Sequence, residues 1–246
     1  KLPRDMLYSE DYALYAGSSF IRALDRRKAR FIKDHAVRSP DTVMLSLGSG
    51  DARKEALLSP FVREILAFDI SEEATRLAKQ MVSSKGIRNL RCERADVTSL
   101  ELAPCRFDLV LASGLLHHFS RGLVLDLLRK AFLWLKPGGI LLTYDPSSRR
   151  LVRHFRVFFR EKYRRLHSDT ERELDPDALI DDLGSAGFRE IDIIYSDFFV
   201  EPLSWLFPGS PPVLISPSVW LDSMLVSLPG IKRFSSHFFI AAEKPA

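Results

Sequence analysis

Residues 43–55 read VMLSLGSGDARKE. A short, fully apolar-flanked run ends at Gly48, a second glycine follows at Gly50, and a charged stretch able to open a helix comes next. A strand of this kind is buried on both faces, and its continuation through a glycine turn into a helix is the first half of a βαβ unit. The pattern outward from it repeats. EILAFD (64–69) is a second short strand. SEEATRLAKQMVSSKG (71–86) opens with Ser71 as N-cap and acids in its first turn, and stops at Gly86, which predicts a helix. LRCERAD (90–96) is a weaker strand and FDLVLAS (107–113) a strong one. GLVLDLLRKAFLWLKPGG (122–139) carries helical apolar spacing up to a Pro-Gly-Gly stop, and ILLTYD (140–145) is another strand. Alternating strands and helices with short links predict a parallel sheet covered on both faces.

Composition permits such a fold. The chain has 246 residues, 46% of them hydrophobic, which is enough for one large core. The formal charge of +4 and a pI near 9.1 allow an anionic partner without demanding one. The two cysteines, Cys92 and Cys105, show no metal-ligand spacing, so no metal is expected; a reducing, cytoplasmic setting fits them better than a disulfide framework. No run reaches the roughly 18 apolar residues of a membrane span, and no secretory signal is visible. Upstream, residues 11–36 read as mostly helical. Downstream, 176–188 read as a helix, and 189–199 and 236–245 as two further strands.

In an open parallel sheet, ligands sit beyond the carboxyl ends of the strands. Gly48 and Gly50 lie at the end of the first strand, where glycine permits a tight turn and a close backbone approach. A dinucleotide motif would place a third glycine where Arg53 stands, so the turn suits a ligand without bridging phosphates; it is also consistent with a turn and no ligand. Asp69 ends the second strand, where a carboxylate can take both hydroxyls of a ribose or merely cap the next helix. Asp96 ends the third strand with Val97 beside it, placed to read and flank a base or to serve as a loop aspartate. Ser113 and Gly114 end the fourth strand, and Leu115 to Phe119 would line the cleft. His117 and His118 are candidates for a general base because histidine titrates near neutrality. The alternative for each is local packing or solvent exposure.

Taken in order, VMLSLGSGD, LAFDIS, RADVTS, FDLVLASGLLHHF and LKPGGILLTYDP resemble the class I S-adenosylmethionine-dependent methyltransferases over roughly residues 42–146. The resemblance implies a Rossmann-like, seven-stranded, mostly parallel sheet with helices on both faces and an antiparallel last strand. It implies one domain over 1–246: a helical cap (1–41), a cofactor core (42–146), a basic insertion (147–175), and a C-terminal part (176–246) with a long apolar insertion at 200–235. It also implies S-adenosylmethionine as cofactor. Gly48, Ser49 and Gly50 would meet its methionine part, Asp69 its ribose with Ile70 beside the adenine, Asp96 and Val97 the adenine edge, and Ser113 the methionine end. Ala52 replaces the usual third glycine of the first motif. The Asn-Pro-Pro-Tyr type signature of base and amide methylases is absent, since Ser113-Gly114-Leu115-Leu116 takes its place. His117, His118 and, more weakly, Tyr144 or Asp145 are the candidate bases.

Two regions outside the shared core bear on the acceptor. From Arg149 to Arg165 there are eight Lys/Arg against the single acid Glu161. If helical, 149–166 is a basic amphipathic stretch suited to a lid or to peripheral contact with an anionic membrane. The connection 200–235 holds six of the fourteen prolines, together with Trp205, Phe207, Trp220, Met224, Leu225 and Leu228. Such apolar content must be buried somewhere, as a cap over the active-site mouth, in a dimer contact or in lipid, with Ser218–Leu228 able to form a short helix. The sequence reading is therefore methyl transfer to a small, apolar acceptor of lipid or secondary-metabolite type. Alternatives are an RNA methyltransferase, disfavoured because no RNA-binding module is visible, and a catalytically silent module docked on membrane.

Overall fold

The computed structural model describes residues 18–151, 172–206, 213 and 215–246. Its centre is β1 (Val43–Leu47), buried at all five positions. Val43, Leu45 and Leu47 point to one side of the sheet and Met44 to the other, each into a separate apolar layer. β1 pairs in parallel with β2 (Glu64–Asp69) on one side and β4 (Phe107–Ser113) on the other. The seven-stranded order is β3-β2-β1-β4-β5-β7-β6, with β3 at Leu90–Arg94, β5 at Leu135–Pro146, β6 at Arg189–Tyr195 and β7 at His237–Glu243. β7 runs antiparallel to both neighbours. The sequence-based sheet, including its antiparallel last strand, is thus the observed one.

Helices cover both faces. One layer holds α4 (Arg121–Trp134) and α5 (Pro176–Ser185) through Val124, Leu127, Leu128, Leu179 and Leu183. The other holds α1 (Ser19–Ala36), α2 (Arg53–Leu58) and α3 (Glu72–Ser84) through Ala29, Ile32, Leu58 and Ala78. Caps follow the sequence: Ser71 Oγ accepts the Ala74 N–H at 3.2 Å, and Asp175 caps α5. Two helices of the 200–235 connection are described, α6 (Val200–Leu206) and α7 (Ile215–Ser227).

One boundary differs from expectation. α4 ends at Trp134, five residues before the Pro-Gly-Gly stop is complete, and β5 begins at Leu135. Lys136 precedes Pro137 and so disfavours helical backbone. Residues 136–139 then bulge between the Phe107–Leu135 and Leu109–Ile140 pairs. Gly139 is required there, because a Cβ would stand 2.9 Å from the Lys136 carbonyl oxygen.

Alternation along β1 has a polar consequence. Ser46 shares the Met44 face, and its hydroxyl donates to Glu55 Oε1 on α2 at 2.7 Å. Glu55 is wholly buried, and its Oε2 has no hydrogen-bond partner. Burial raises its pKa above 4.5, against the opposing pull of Lys54 and the Ser46 hydroxyl. A carboxyl with a raised folded-state pKa contributes stability that is full below its unfolded value and is lost as pH rises through the folded value; each tenfold change in proton affinity is worth about 1.4 kcal/mol. Glu55→Gln is therefore expected to match the wild type near pH 4.5 and to exceed it in melting temperature at pH 8, as thermal unfolding across that range would show.

Candidate cofactor and acceptor site

All six parallel strands end on one edge, and β7 begins there. From β3 across to β6 this rim carries Asp96, Asp69, Gly48 to Gly50, Ser113, Asp145, His237 and Asp197 in spatial order. Gly48 and Gly50 have φ of +67° and +59°, the left-handed region that glycine enters without strain. A side chain at Gly48 would also meet Leu115 Cδ1 at 2.7 Å. Ala52 adopts φ +56° before α2, so this departure from a glycine keeps the turn's backbone.

Asp69 is the link that holds this turn. Its Oδ2 accepts the Gly50 N–H at 2.8 Å and its Oδ1 accepts the Ser71 N–H at 2.8 Å. The Ser49 N–H donates to the Phe68 carbonyl at 3.0 Å. Asp69 does not cap α3, since Ser71 does so itself. Each carboxylate oxygen has a second lone-pair direction, so the clamp leaves acceptor capacity for a diol. Ser49 is buried, whereas Ile70 is half-buried beside the turn, its carbonyl accepting Arg94 Nε at 3.2 Å. Arg53 reaches back to Asp51 and to Asp25 of α1, at 3.0 and 3.4 Å.

Asp96 Oδ1 accepts both the N–H and the hydroxyl of Thr98, at 3.0 and 2.7 Å, which fixes the 3-10 turn Val97–Ser99. Val97 itself is 5% exposed and belongs to the core. Ser113 is half-buried at the end of β4.

The segment after β4 packs against the sheet's carboxyl end. Leu115 and Leu116 are buried and pack in the core beside Val97. The 3-10 turn Leu116–His118 sets the two imidazoles against each other, centroids 4.1 Å apart. His117 is buried; its Nδ1 lies 2.9 Å from Asp145 Oδ1, and its backbone N–H donates to the same oxygen at 3.2 Å. Asp145 is completely buried at the end of β5, and its Oδ2 has no hydrogen-bond partner. Burial raises its pKa, partly offset by the hydrogen bond and charge of His117. With Asp145 ionised, the ring donates from Nδ1 and leaves Nε2 as its basic nitrogen.

Tyr144, named beside Asp145 as a weaker base, faces the other side of β5. Its hydroxyl donates to Glu201 Oε2 at 2.5 Å. Burial, with Asp197 and Glu201 nearby, holds its pKa well above 10, so it is not a base near neutrality. It belongs to a buried polar cluster that the sequence did not signal. Lys28 of α1 pairs with Glu201 at 2.8 Å and lies over the Tyr144 ring, and His237 Nδ1 lies 3.3 Å from Asp197 Oδ2. Asp197, Glu201 and His237 offer three metal-type donors within 4.8 Å of one another. The Lys28 ammonium already supplies the compensating positive charge at Glu201. These residues are scattered from position 28 to 237, so no spacing motif announces them.

Residues 44–139 match the family model described as Methyltransferase domain, and the sheet around them has the fold of solved S-adenosylmethionine-dependent methyltransferases. Among curated proteins, the chain is 28% identical over 102 residues to the uncharacterized methyltransferase YcgJ of Bacillus subtilis strain 168. That match spans 42% of this chain and 40% of YcgJ. Among solved structures, the [4+2]-cyclase SpnF superposes with a TM-score of 0.65 at 16% identity, over 90% of this chain and 81% of that one. Phosphoethanolamine N-methyltransferase 2 of Haemonchus contortus, in complex with S-adenosyl-L-methionine, gives 0.65 at 15%, over 99% and 60%. At such identities the structural likeness is one of fold.

The Lys28–Glu201 pair yields a stability prediction. Burial alone would raise Glu201, but Lys28 and His237 bring it down to about 2. A depressed carboxyl contributes stability that is full above its unfolded pKa of 4.5 and is lost as pH falls toward 2. Lys28→Met is expected to cost about 3 kcal/mol at pH 7, because it leaves a buried charge unpaired. Glu201→Gln is expected to flatten the acid limb between pH 4.5 and 2. Urea unfolding at several pH values measures both.

Proposed function

We propose that this protein transfers the methyl group of S-adenosylmethionine to a nucleophilic atom of a small, lipophilic acceptor. The observation that carries the proposal is the glycine turn clamped by Asp69 at the carboxyl rim of the matched domain. The bound cofactor supplies an activated methyl on a sulfonium. Gly48, Ser49 and Gly50 would hold its methionine part, with Ser113 at the same end. Asp69 would take the ribose hydroxyls, Ile70 would flank the adenine, and Asp96 and Val97 would read the adenine edge. The glycines fit that task because no Cβ stands between backbone and ligand.

The protein's task in such a transfer is mainly positional. The acceptor atom must be held about 3–3.5 Å from the methyl carbon, in line with the bond to sulfur. An acceptor that loses a proton needs a base, and His117 is our candidate, with Asp145 fixing its ring and the His118 ring tilted against it. Asp145 then acts through His117 as a positioning residue. Support for a small acceptor comes from the related folds, which include an enzyme named for phosphoethanolamine. Support for an apolar one comes from the composition of the 200–235 connection. The basic stretch proposed for membrane contact, 149–166, lies largely outside the described residues.

Isothermal titration with S-adenosylmethionine and with S-adenosylhomocysteine tests the first half; absence of heat at high micromolar ligand removes the proposal. Asp69→Ala is expected to weaken binding of both by roughly tenfold or more, the loss of one to two hydrogen bonds to a charged group. Once an acceptor is in hand, His117→Ala should lower turnover by roughly 100-fold. Asp145→Asn should shift the alkaline-going limb of the pH–rate profile while leaving cofactor affinity in place.

A further inference from the structure

The apolar connection between β6 and β7 was expected to be covered, by protein or by lipid; its first helix is, with Val200, Glu201 and Ser204 buried, whereas much of α7 and the turn after it are exposed. α7 carries Val219, Trp220, Leu221, Met224, Leu225 and Val226 among serines, and its one buried residue is Asp222. Its orientation is fixed by Asp222, fully buried, whose carboxylate oxygens accept the N–H groups of Phe199 and Val200 at 3.0 Å each and so cap α6. Asp222 therefore faces the protein. At 100° per residue, Trp220 and Met224 fall on the opposite side, and Leu228 follows the helix end at Ser227. They are 64%, 47% and 44% exposed, and Leu221, Ile231 and Phe234 are exposed beside them. Residues 227–234 are exposed without interruption.

The charges on this segment choose its partner. From Ser223 to Ser236 there is no acid, and Lys232 and Arg233 sit within the apolar run. A second copy is a poor match, because a two-fold interface would set this surface against itself, base facing base. An anionic bilayer is a good match. Apolar side chains enter the acyl boundary while adjacent Lys and Arg meet lipid phosphates at a negative membrane surface. Among the described residues no helix is long and apolar enough to cross a membrane, so the contact is one of lying on the surface. We infer that the outward face of α7 and the turn after it, residues 220–234, dock this protein on anionic lipid. The inference stands apart from methyl transfer, since it is read by lipid binding alone.

The test uses the full chain and extruded vesicles, of phosphatidylcholine alone or of equal parts phosphatidylcholine and phosphatidylglycerol. Flotation should carry the protein with the phosphatidylglycerol vesicles and leave it behind with phosphatidylcholine alone. The double variant Trp220→Glu with Met224→Glu should lose binding by roughly tenfold or more, with its melting temperature unchanged because both side chains point outward. Lys232→Glu with Arg233→Glu should remove the preference for phosphatidylglycerol. Wild-type protein that stays unbound on both vesicles overturns the inference. So does a dimer in light scattering that the Trp220 and Met224 variant makes monomeric without any vesicle binding in the wild type.

Discussion

Both oxygens of Asp69 are engaged by backbone N–H groups, one from the glycine turn and one from the start of α3. The turn needs this anchor. Gly48, Gly50 and Ala52 all sit in left-handed backbone, a run with few intrinsic preferences of its own. A carboxylate at the end of the neighbouring strand gives that run one address. Because the strand registers of β1 with β2 and β4 are set by buried alternation, the anchor also fixes how the turn sits relative to Ser113 on the far side. The proposed nucleoside end and the proposed methyl end of the site are thus tied to one another through the sheet.

The opposite end of the rim is organised differently. There the chain gathers Lys28, Tyr144, Asp197, Glu201 and His237 from five separate segments into a buried network. It joins α1 to β5, β7 and α6, while Ile21, Leu24 and Val200 form a small apolar layer beside it. Arg53 adds a link from the glycine turn to Asp25 of α1. The N-terminal helix is consequently held both at the proposed cofactor end and at the C-terminal helices. On β5, alternate side chains split the two chemistries. Tyr144 enters the network, and Asp145, one residue on, faces His117.

Much of this was legible in the sequence because it is local. Strand and helix periodicity, Ser71 as a cap, and the order of five motifs sufficed for the sheet, its last antiparallel strand and the family. The end of α4 was misplaced because Pro-Gly-Gly was read as a helix stop, whereas β4 pairing starts the next strand at Leu135. The burial of Leu115 and Leu116 was not read, because burial around a 3-10 turn has no sequence period. The Asp145–His117 contact and the Lys28 network depend on residues 28 to 173 positions apart, which no single-sequence pattern records. The exposure of α7 ran against its composition, since hydrophobicity says that a surface will be covered and not by what.

The sheet order also bears on how such a chain can vary. β6 and β7 are neighbours and antiparallel, so a tight turn would be enough to join them. Among the described residues the actual link carries two helices, and it joins the two strands at the sheet's β6 edge. Its length and content can drift without altering any strand register upstream. A hairpin tip of this sort is a natural grafting point: one lineage can trade its excursion for another and acquire a new habitat or clientele while the catalytic scaffold stays as it was.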